Sequence, residues 1–142
     1  MFQKKYLNRY RSFRSSLASL QKARQRDLTD DFVISGTVQK FCLTFDIAWK
    51  VMKDVIVGYH KVVSFASGSP RETLRMAGQL GMISGDVWMK MLLDRNELTH
   101  DYDGSLARNS VRRIIDIYLP LLEQFSATAS EYMKKMEEDD DL

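Results

Sequence analysis

The chain has 142 residues, of which 44% are hydrophobic and 28% are charged. This length provides one domain with enough residues to bury a core, and the composition excludes wholesale disorder. Seven glycines and two prolines argue against a turn-rich all-β fold. The single cysteine, Cys42, excludes an intrachain disulfide, and two histidines leave little room for a metal site. We therefore expect neither a metal nor another cofactor.

The charge is divided unevenly along the chain. Residues 1–26 carry eight basic side chains and no acid, whereas all nineteen acids follow, five of them in the run Glu137–Asp141. The basic segment could be a solvated helix face or could attract a phosphate-bearing partner. The longest uncharged stretch, Met76–Gly85, is too short to span a bilayer, and the N-terminus lacks the apolar core of a signal peptide. We expect a cytoplasmic protein without a membrane partner.

Apolar residues recur at helical spacing along most of the chain. The first predicted helix is amphipathic and covers Phe2–Arg26. The second begins near Thr29–Asp31 and ends at Gly58, because small polar and acidic residues suit the N-cap. A third, short helix begins at Ser69-Pro70-Arg71-Glu72, which has the form of a capping box, and ends at Gly81.

The fourth helix is predicted over Val87–Thr99, and a turn at Asp103-Gly104 leads into a fifth from about Ser105 to Lys135, with a kink at Pro120. Residues 137–142 are expected to fray, because adjacent acids at a helix C-terminus repel one another and the helix dipole. The predicted fold class is all-α, an up-and-down four-helix bundle with an additional short helix. Residues 1–136 form its single domain, and the acidic tail follows.

The fourth helix is apolar on two opposed sides. One side can pack into the bundle, whereas the other needs another helix of the same chain or a second subunit. Because the second side ends in polar residues, we favour a homodimer interface that opens into a site there. The alternative is a fully internal helix whose polar residues are satisfied locally. The second side consists of Met89, Leu93, Asn96 and His100.

Arginine, histidine and tyrosine are closely spaced at the end of this helix, as Arg95, His100 and Tyr102. A histidine can act as general base on a ribose 2′-hydroxyl, and an arginine can stabilise the charge that develops on phosphate, without a metal. Arg95 and His100 are ~140° apart around the helix. They could converge if the last turn unwinds, or across a two-fold axis. A structural hydrogen-bonding role for His100 stays open.

The segment Arg95–Tyr102 resembles the R-x4-H-x-Y motif of HEPN-domain proteins that pair with minimal nucleotidyltransferases. Phe41–Lys50 is similar to the long-helix signature of the nucleotidyltransferase substrate-binding protein family. Ser69–Glu72 and Val87–Asn96 resemble the middle segments of that family. The resemblance covers roughly residues 5–135.

This resemblance implies a helical bundle that forms a homodimer and binds a minimal nucleotidyltransferase subunit. In one branch the bundle is a metal-independent endoribonuclease toxin with RNA as its substrate, neutralised by that partner. On that model Arg95 and His100 are catalytic, Asn96 assists, and Tyr102 is the residue to which the partner attaches AMP. In the other branch it is a non-catalytic nucleotide- or substrate-binding subunit.

The resemblance also draws attention to one face of the second helix, where Cys42 stands at a position that is commonly acidic in the family. Asp46, Trp49 and Lys53 share this face and form a candidate pocket or partner contact. Packing alone explains Trp49 and Cys42 equally well. A third interpretation of the whole chain is a generic helical dimerisation module.

Overall fold

The computed structural model describes residues 4–84 and 86–140, and all regular secondary structure in these two ranges is helical. Two 3₁₀ turns cover Lys22–Gln25 and Val63–Ser67, and a π-helical turn covers Ile114–Tyr118. The prediction of an all-α bundle is confirmed; the predicted first turn at Phe2 lies outside the described residues. The α-helices are α1 (Lys5–Gln21), α2 (Asp31–Gly58), α3 (Pro70–Gln79), α4 (Val87–Leu98), α5 (Ser105–Arg113) and α6 (Leu119–Asp140).

The starts of α2 and α3 are fixed by side chains that bind free backbone amides. The carboxylate of Asp30 accepts hydrogen bonds from the amides of Phe32 and Val33. Ser69 accepts from the amide of Glu72, whose carboxylate accepts in return from the amide of Ser69. These caps satisfy donors that the first helical turn leaves unpaired. Both predicted starts are confirmed.

The long helical segments alternate in direction. Arg9 contacts Asp54 and Ser16 contacts Thr44, so α1 and α2 are antiparallel. Helix α4 is antiparallel to α2 in turn, and the continuous segment α5–α6 is parallel to α2. Helix α2 lies at the centre, because it contacts every other α-helix of the described chain.

The core is formed along α2, and aromatic rings pack together within it. Phe41 stacks on Tyr118 with ring centroids 5.4 Å apart, and the ring of Trp88 lies against both Phe45 and Phe125. These side chains are buried. Burial of apolar surface, to which these rings contribute, is the main favourable term in the free energy of folding.

The helix that contains Pro120 continues past this proline. Pro120 has no amide hydrogen to donate to the carbonyl of Asp116, and its ring crowds that carbonyl. The π-helical turn Ile114–Tyr118 lies immediately before Pro120 and widens the backbone there. A local change of helix type therefore accommodates the proline between α5 and α6.

The acidic residues 137–140, which we expected to fray, continue α6 as far as Asp140. The hydroxyl of Tyr6 donates to the Asp140 carboxylate at 2.6 Å, and the ammonium of Lys4 lies 4.0 Å from the same oxygen. This attraction to the basic end of α1 opposes the repulsion among the acids. Asp141 and Leu142 lie outside the described residues.

Asp54 joins α2 to α1 through one of its two oxygens. Oδ1 accepts from Nη1 of Arg9 at 2.7 Å, whereas Oδ2 is buried without a hydrogen-bond partner. Burial raises the pKa of Asp54 to about 6, although the charge of Arg9 acts in the opposite direction. The fold therefore favours the protonated carboxyl more than the unfolded chain does.

Replacing Asp54 by asparagine should remove a pH-dependent loss of stability. Below about pH 4 the carboxyl is neutral in both states, so the stabilising difference is fully present. As the pH rises towards 6, the Asp54 carboxyl of the unfolded chain ionises while that of the folded chain is still protonated. Rising pH therefore favours unfolding, and the wild type has lost this contribution once the pH passes about 6. From pH 4 to pH 7.5, the free energy of unfolding in urea should fall by about 2 kcal/mol more in the wild type than in Asp54→Asn.

The matched variant for this measurement is Arg9→Gln, which removes the charge that lowers the Asp54 pKa. It should make the loss of stability with rising pH larger than in the wild type. An equal difference between Asp54→Asn and the wild type at both pH values would contradict the assignment.

Candidate functional site

A bidentate ion pair joins α4 to α2. Nε of Arg95 donates to Oδ1 of Asp46 at 2.9 Å, and Nη2 donates to Oδ2 at 2.7 Å. Both side chains are 28% exposed, so the pair is partly shielded from water. The hydrogen bonds that Arg95 donates to Asp46 raise the pKa of Arg95 further above its ordinary value. Arg95 therefore holds a fixed orientation and a permanent charge, and its Nη1 is not used by Asp46.

The pair forms one wall of a surface cavity of about 260 Å³. The structure thus brings two predicted catalytic candidates, Arg95 and Asn96, together with two of the predicted pocket residues. The third, Lys53, lies beside the cavity, with its ammonium 5.0 Å from the centroid of the Trp49 ring. The lining residues are Asp46, Trp49, Lys50, Pro70, Leu92, Arg95 and Asn96.

Cys42 lies close to this ion pair. Burial raises the pKa of the Cys42 thiol to about 11, with Arg95 lowering it and Asp46 raising it. The thiol is therefore neutral at physiological pH, and Asp46 alone provides the negative charge that faces Arg95. Because a cysteine stands at position 42, where an acidic residue is common in the family that the sequence resembles, Arg95 has one carboxylate partner on α2.

His100 and Tyr102 lie beyond the end of α4, outside that cavity. The imidazole of His100 is exposed, and Tyr102 is 92% exposed. Their ring centroids are 6.5 Å apart. Neither side chain lines the cavity that contains Arg95. In one protomer, the structure pairs His100 with Tyr102 and pairs Arg95 with Asp46.

The loop that carries His100 and Tyr102 is fixed by the start of α5. The carboxylate of Asp101 accepts from the amides of Leu106 and Ala107, at 3.1 and 2.7 Å. Gly104 has a φ of +77°, a conformation that glycine adopts without steric cost. We did not predict this role of Asp101, although an acidic residue shortly before a helix start was its signal in the sequence.

The two sides of α4 differ sharply in exposure. Met91 and Leu98 are buried in the bundle, whereas Leu93 is 52% exposed and Asn96 and His100 are exposed. The alternative of a fully internal fourth helix is therefore wrong. On the side that we predicted as an interface, Leu93, Asn96 and His100 are exposed, whereas Met89 is half-buried against the core.

A second polar contact fixes α4 from its other flank. Nε of Arg113 donates to Asp94 at 2.8 Å, and the hydroxyl of Tyr118 donates to the same carboxylate oxygen. Burial, together with Asp94, raises the pKa of Tyr118 well above its ordinary value, so the phenol stays protonated. The sequence gave no signal for this contact between Tyr118 and Asp94.

Neither a metal site nor a membrane span is found among residues 4–84 and 86–140. No three histidine, cysteine or carboxylate side chains of these residues lie close enough together to hold a metal ion. None of the helices formed by these residues combines the length and the apolar character that crossing a bilayer requires.

The described residues define a small all-α bundle with a cavity between α2 and α4. The chain belongs to the family described as "Nucleotidyltransferase substrate binding protein like", whose model matches residues 8–131. The resemblance to the nucleotidyltransferase substrate-binding protein family is thereby confirmed, whereas the resemblance to HEPN-domain proteins stays a prediction. The family description implies partnership with a nucleotidyltransferase. No curated protein matches the chain.

The Asp46–Arg95 pair should contribute measurably to stability, since it is bidentate and partly buried. A double-mutant cycle with Asp46→Asn and Arg95→Gln, followed by urea unfolding, should give a coupling energy of about 1–2 kcal/mol. The matched control is the exposed pair of Glu131 and Lys134, for which the coupling should be near zero. Equal coupling energies for the two pairs would contradict this expectation.

Proposed function

We propose that the chain is the helical partner subunit of a minimal nucleotidyltransferase and that, as a homodimer, it cleaves RNA without a divalent metal. Membership of the family supports the partner. The homodimer and the cleavage of RNA are proposed from one observation, the uncovered side of α4. This side bears exposed Leu93 and ends at exposed His100.

A two-fold axis along the uncovered side of α4 would bury Leu93 of both protomers. Such an axis places the same segment of both chains face to face. The end of α4 in one protomer then approaches the end of α4 in the other. His100 of one chain can reach the phosphate that Arg95 of the other chain holds, and this arrangement removes the obstacle of their ~140° separation within one helix.

The proposed reaction is transesterification at an RNA phosphodiester. His100 accepts the proton of a ribose 2′-hydroxyl, whose oxygen attacks the neighbouring phosphorus while the bond to the 5′-oxygen breaks. The products are a 2′,3′-cyclic phosphate and a 5′-hydroxyl, which takes its proton from water or the imidazolium. Arg95 stabilises the added negative charge through Nη1, and the amide of Asn96 donates to a phosphate oxygen.

Tyr102 is the proposed point of control by the partner. Its hydroxyl is accessible on the loop that follows α4, and its ring lies 6.5 Å from that of His100. Transfer of AMP from ATP to this hydroxyl, with release of pyrophosphate, would place a bulky anion beside the general base. The negative charge and bulk would exclude the RNA phosphate from the site.

The second candidate function is a non-catalytic nucleotide- or substrate-binding subunit. It is favoured by the separation of Arg95 from His100 within one protomer. The ring of Trp49 offers a stacking surface in the same cavity, with the ammonium groups of Lys50 and Lys53 at 5.8 and 5.0 Å from its centroid. A base and a phosphate would find complementary groups there.

Cleavage of RNA by the purified dimer in EDTA should be readily measured on a denaturing gel. His100→Ala and Arg95→Ala should each reduce the rate at least about 100-fold, because each removes one half of the acid–base and charge-stabilising pair. The matched control is Arg112→Ala, an exposed arginine of α5, which should retain wild-type activity.

Addition of the nucleotidyltransferase and ATP should silence the wild type but not a Tyr102→Phe variant. A folded wild-type dimer that leaves RNA intact would refute the ribonuclease. If that protein still bound ATP, and Trp49→Ala abolished the binding, the second candidate function would replace the first.

The dimer itself is tested by placing a charge on the uncovered side of α4. Leu93→Asp should convert the dimer to a monomer in light scattering after gel filtration, because two buried carboxylates would face each other across the axis. Val63→Asp is the matched control, since Val63 is 70% exposed and belongs to the 3₁₀ turn Val63–Ser67 instead of α4. A Leu93→Asp protein that stays dimeric would exclude this interface.

A further inference from the structure

The corner between the end of α1 and the start of α2 contains another cavity, of about 410 Å³. Three basic side chains line it, together with the ring of Phe32, and none of its lining residues is acidic. It shares no residue with the cavity beside Arg95. The three basic residues are Lys22, Arg26 and Lys40.

The three basic side chains of this cavity are not neutralised by the fold. Within residues 4–84 and 86–140, none of them forms an ion pair with a carboxylate. Other basic residues of the N-terminal segment are paired: Arg9 contacts Asp54, and Arg24 donates two hydrogen bonds to Glu123. The positive charge of the N-terminal segment is therefore available to a ligand at this cavity.

Phe32 exposes an aromatic face at the edge of the cavity. Its side chain is 91% exposed, the highest fraction among the exposed apolar residues of α2. Phe32, Gly36 and Lys40 recur every four residues and so form one stripe along α2. A Cβ at Gly36 would meet no atom within 4 Å, so the surface between the ring and the ammonium is open.

The acidic residues next to Phe32 in the sequence do not line this cavity. The carboxylate of Asp30 caps α2, and that of Asp27 accepts hydrogen bonds from Thr29. Asp31 lines a different cavity, formed with the loop before α5. The charged groups that line the cavity are therefore the three basic side chains, whereas the Asp30 carboxylate lies at the backbone amide of Phe32.

We infer that this cavity binds single-stranded RNA, with one base stacked on Phe32 and the flanking phosphates at Lys22, Arg26 and Lys40. A single strand alternates flat bases with phosphates, which matches one exposed ring surrounded by unpaired cations. The inference rests on the proposed function in taking RNA as the substrate. It adds a site, away from Arg95 and His100, that holds the strand.

The test uses fluorescence anisotropy with a labelled 2′-O-methyl-uridine 12-mer, because a strand without free 2′-hydroxyls can bind but cannot be cleaved. Phe32→Ala should weaken binding about tenfold, the effect of losing one stacked base. The triple variant Lys22→Ala/Arg26→Ala/Lys40→Ala should reduce the slope of log Kd against log salt by about 2. All four side chains lie on the surface, and circular dichroism verifies the fold.

A matched pair at Gly36 tests the position more sharply. Gly36→Ala and Gly36→Glu both place a Cβ in open space and both favour the helix more than glycine does. Gly36→Ala should bind almost as the wild type does, whereas Gly36→Glu should weaken binding about tenfold by repelling phosphate. A control triple removes three exposed arginines elsewhere and should retain binding through Phe32: Arg11→Ala, Arg71→Ala and Arg112→Ala.

The inference would be overturned if Phe32→Ala and the cavity triple bound the 12-mer with wild-type affinity. It would also be overturned if the control triple lost as much affinity as the cavity triple. A third result would also overturn the inference: Phe32→Ala no longer forms the dimer or the nucleotidyltransferase complex, but its affinity for the 12-mer is unchanged. The cavity would then be a protein contact. Binding of the 12-mer at Phe32 by a protein that cleaves no RNA would support the inference and refute only the ribonuclease.

Discussion

The bidentate pair between Asp46 and Arg95 sets the geometry of everything around the candidate site. It fixes α4 on α2, forms a wall of the cavity that contains Trp49 and Asn96, and gives Arg95 a single orientation. The same constraint keeps Arg95 apart from the loop that carries His100. Because the fold commits Arg95 to Asp46, the proposed function takes Arg95 and His100 from two copies of the chain.

The division of charge along the chain has a structural explanation. The basic N-terminal segment and the acidic C-terminal helix lie side by side, and Arg24–Glu123 and Tyr6–Asp140 are contacts between them. These intramolecular contacts neutralise part of both segments and order the end of α6. Two other basic residues of the N-terminal segment, Lys22 and Arg26, lie with Lys40 of α2 beside Phe32, where their charge can act on a phosphate-bearing strand.

Local signals in the sequence predicted much of the fold. The cap at Asp30, the capping box at Ser69 and the turn at Gly104 depend on residues within a few positions of one another, so spacing alone reveals them. The partner of Arg95 could not be predicted in this way, because Asp46 is 49 residues distant and the contact depends on how two helices pack. The same reason explains why the Asp94–Tyr118 contact went unrecognised.

The candidate site was predicted in its composition but not in its arrangement. Residue types and spacing identified Arg95, Asn96 and His100, whereas their separation into a cavity and an exposed loop depends on the end of α4 and on the cap at Asp101. The most direct test of the composite site is complementation between two inactive variants. Mixing Arg95→Ala and His100→Ala homodimers and allowing exchange should restore metal-independent RNA cleavage, because each heterodimer regains one intact Arg95–His100 pair across the axis. Heterodimers that form but remain inactive would contradict the account.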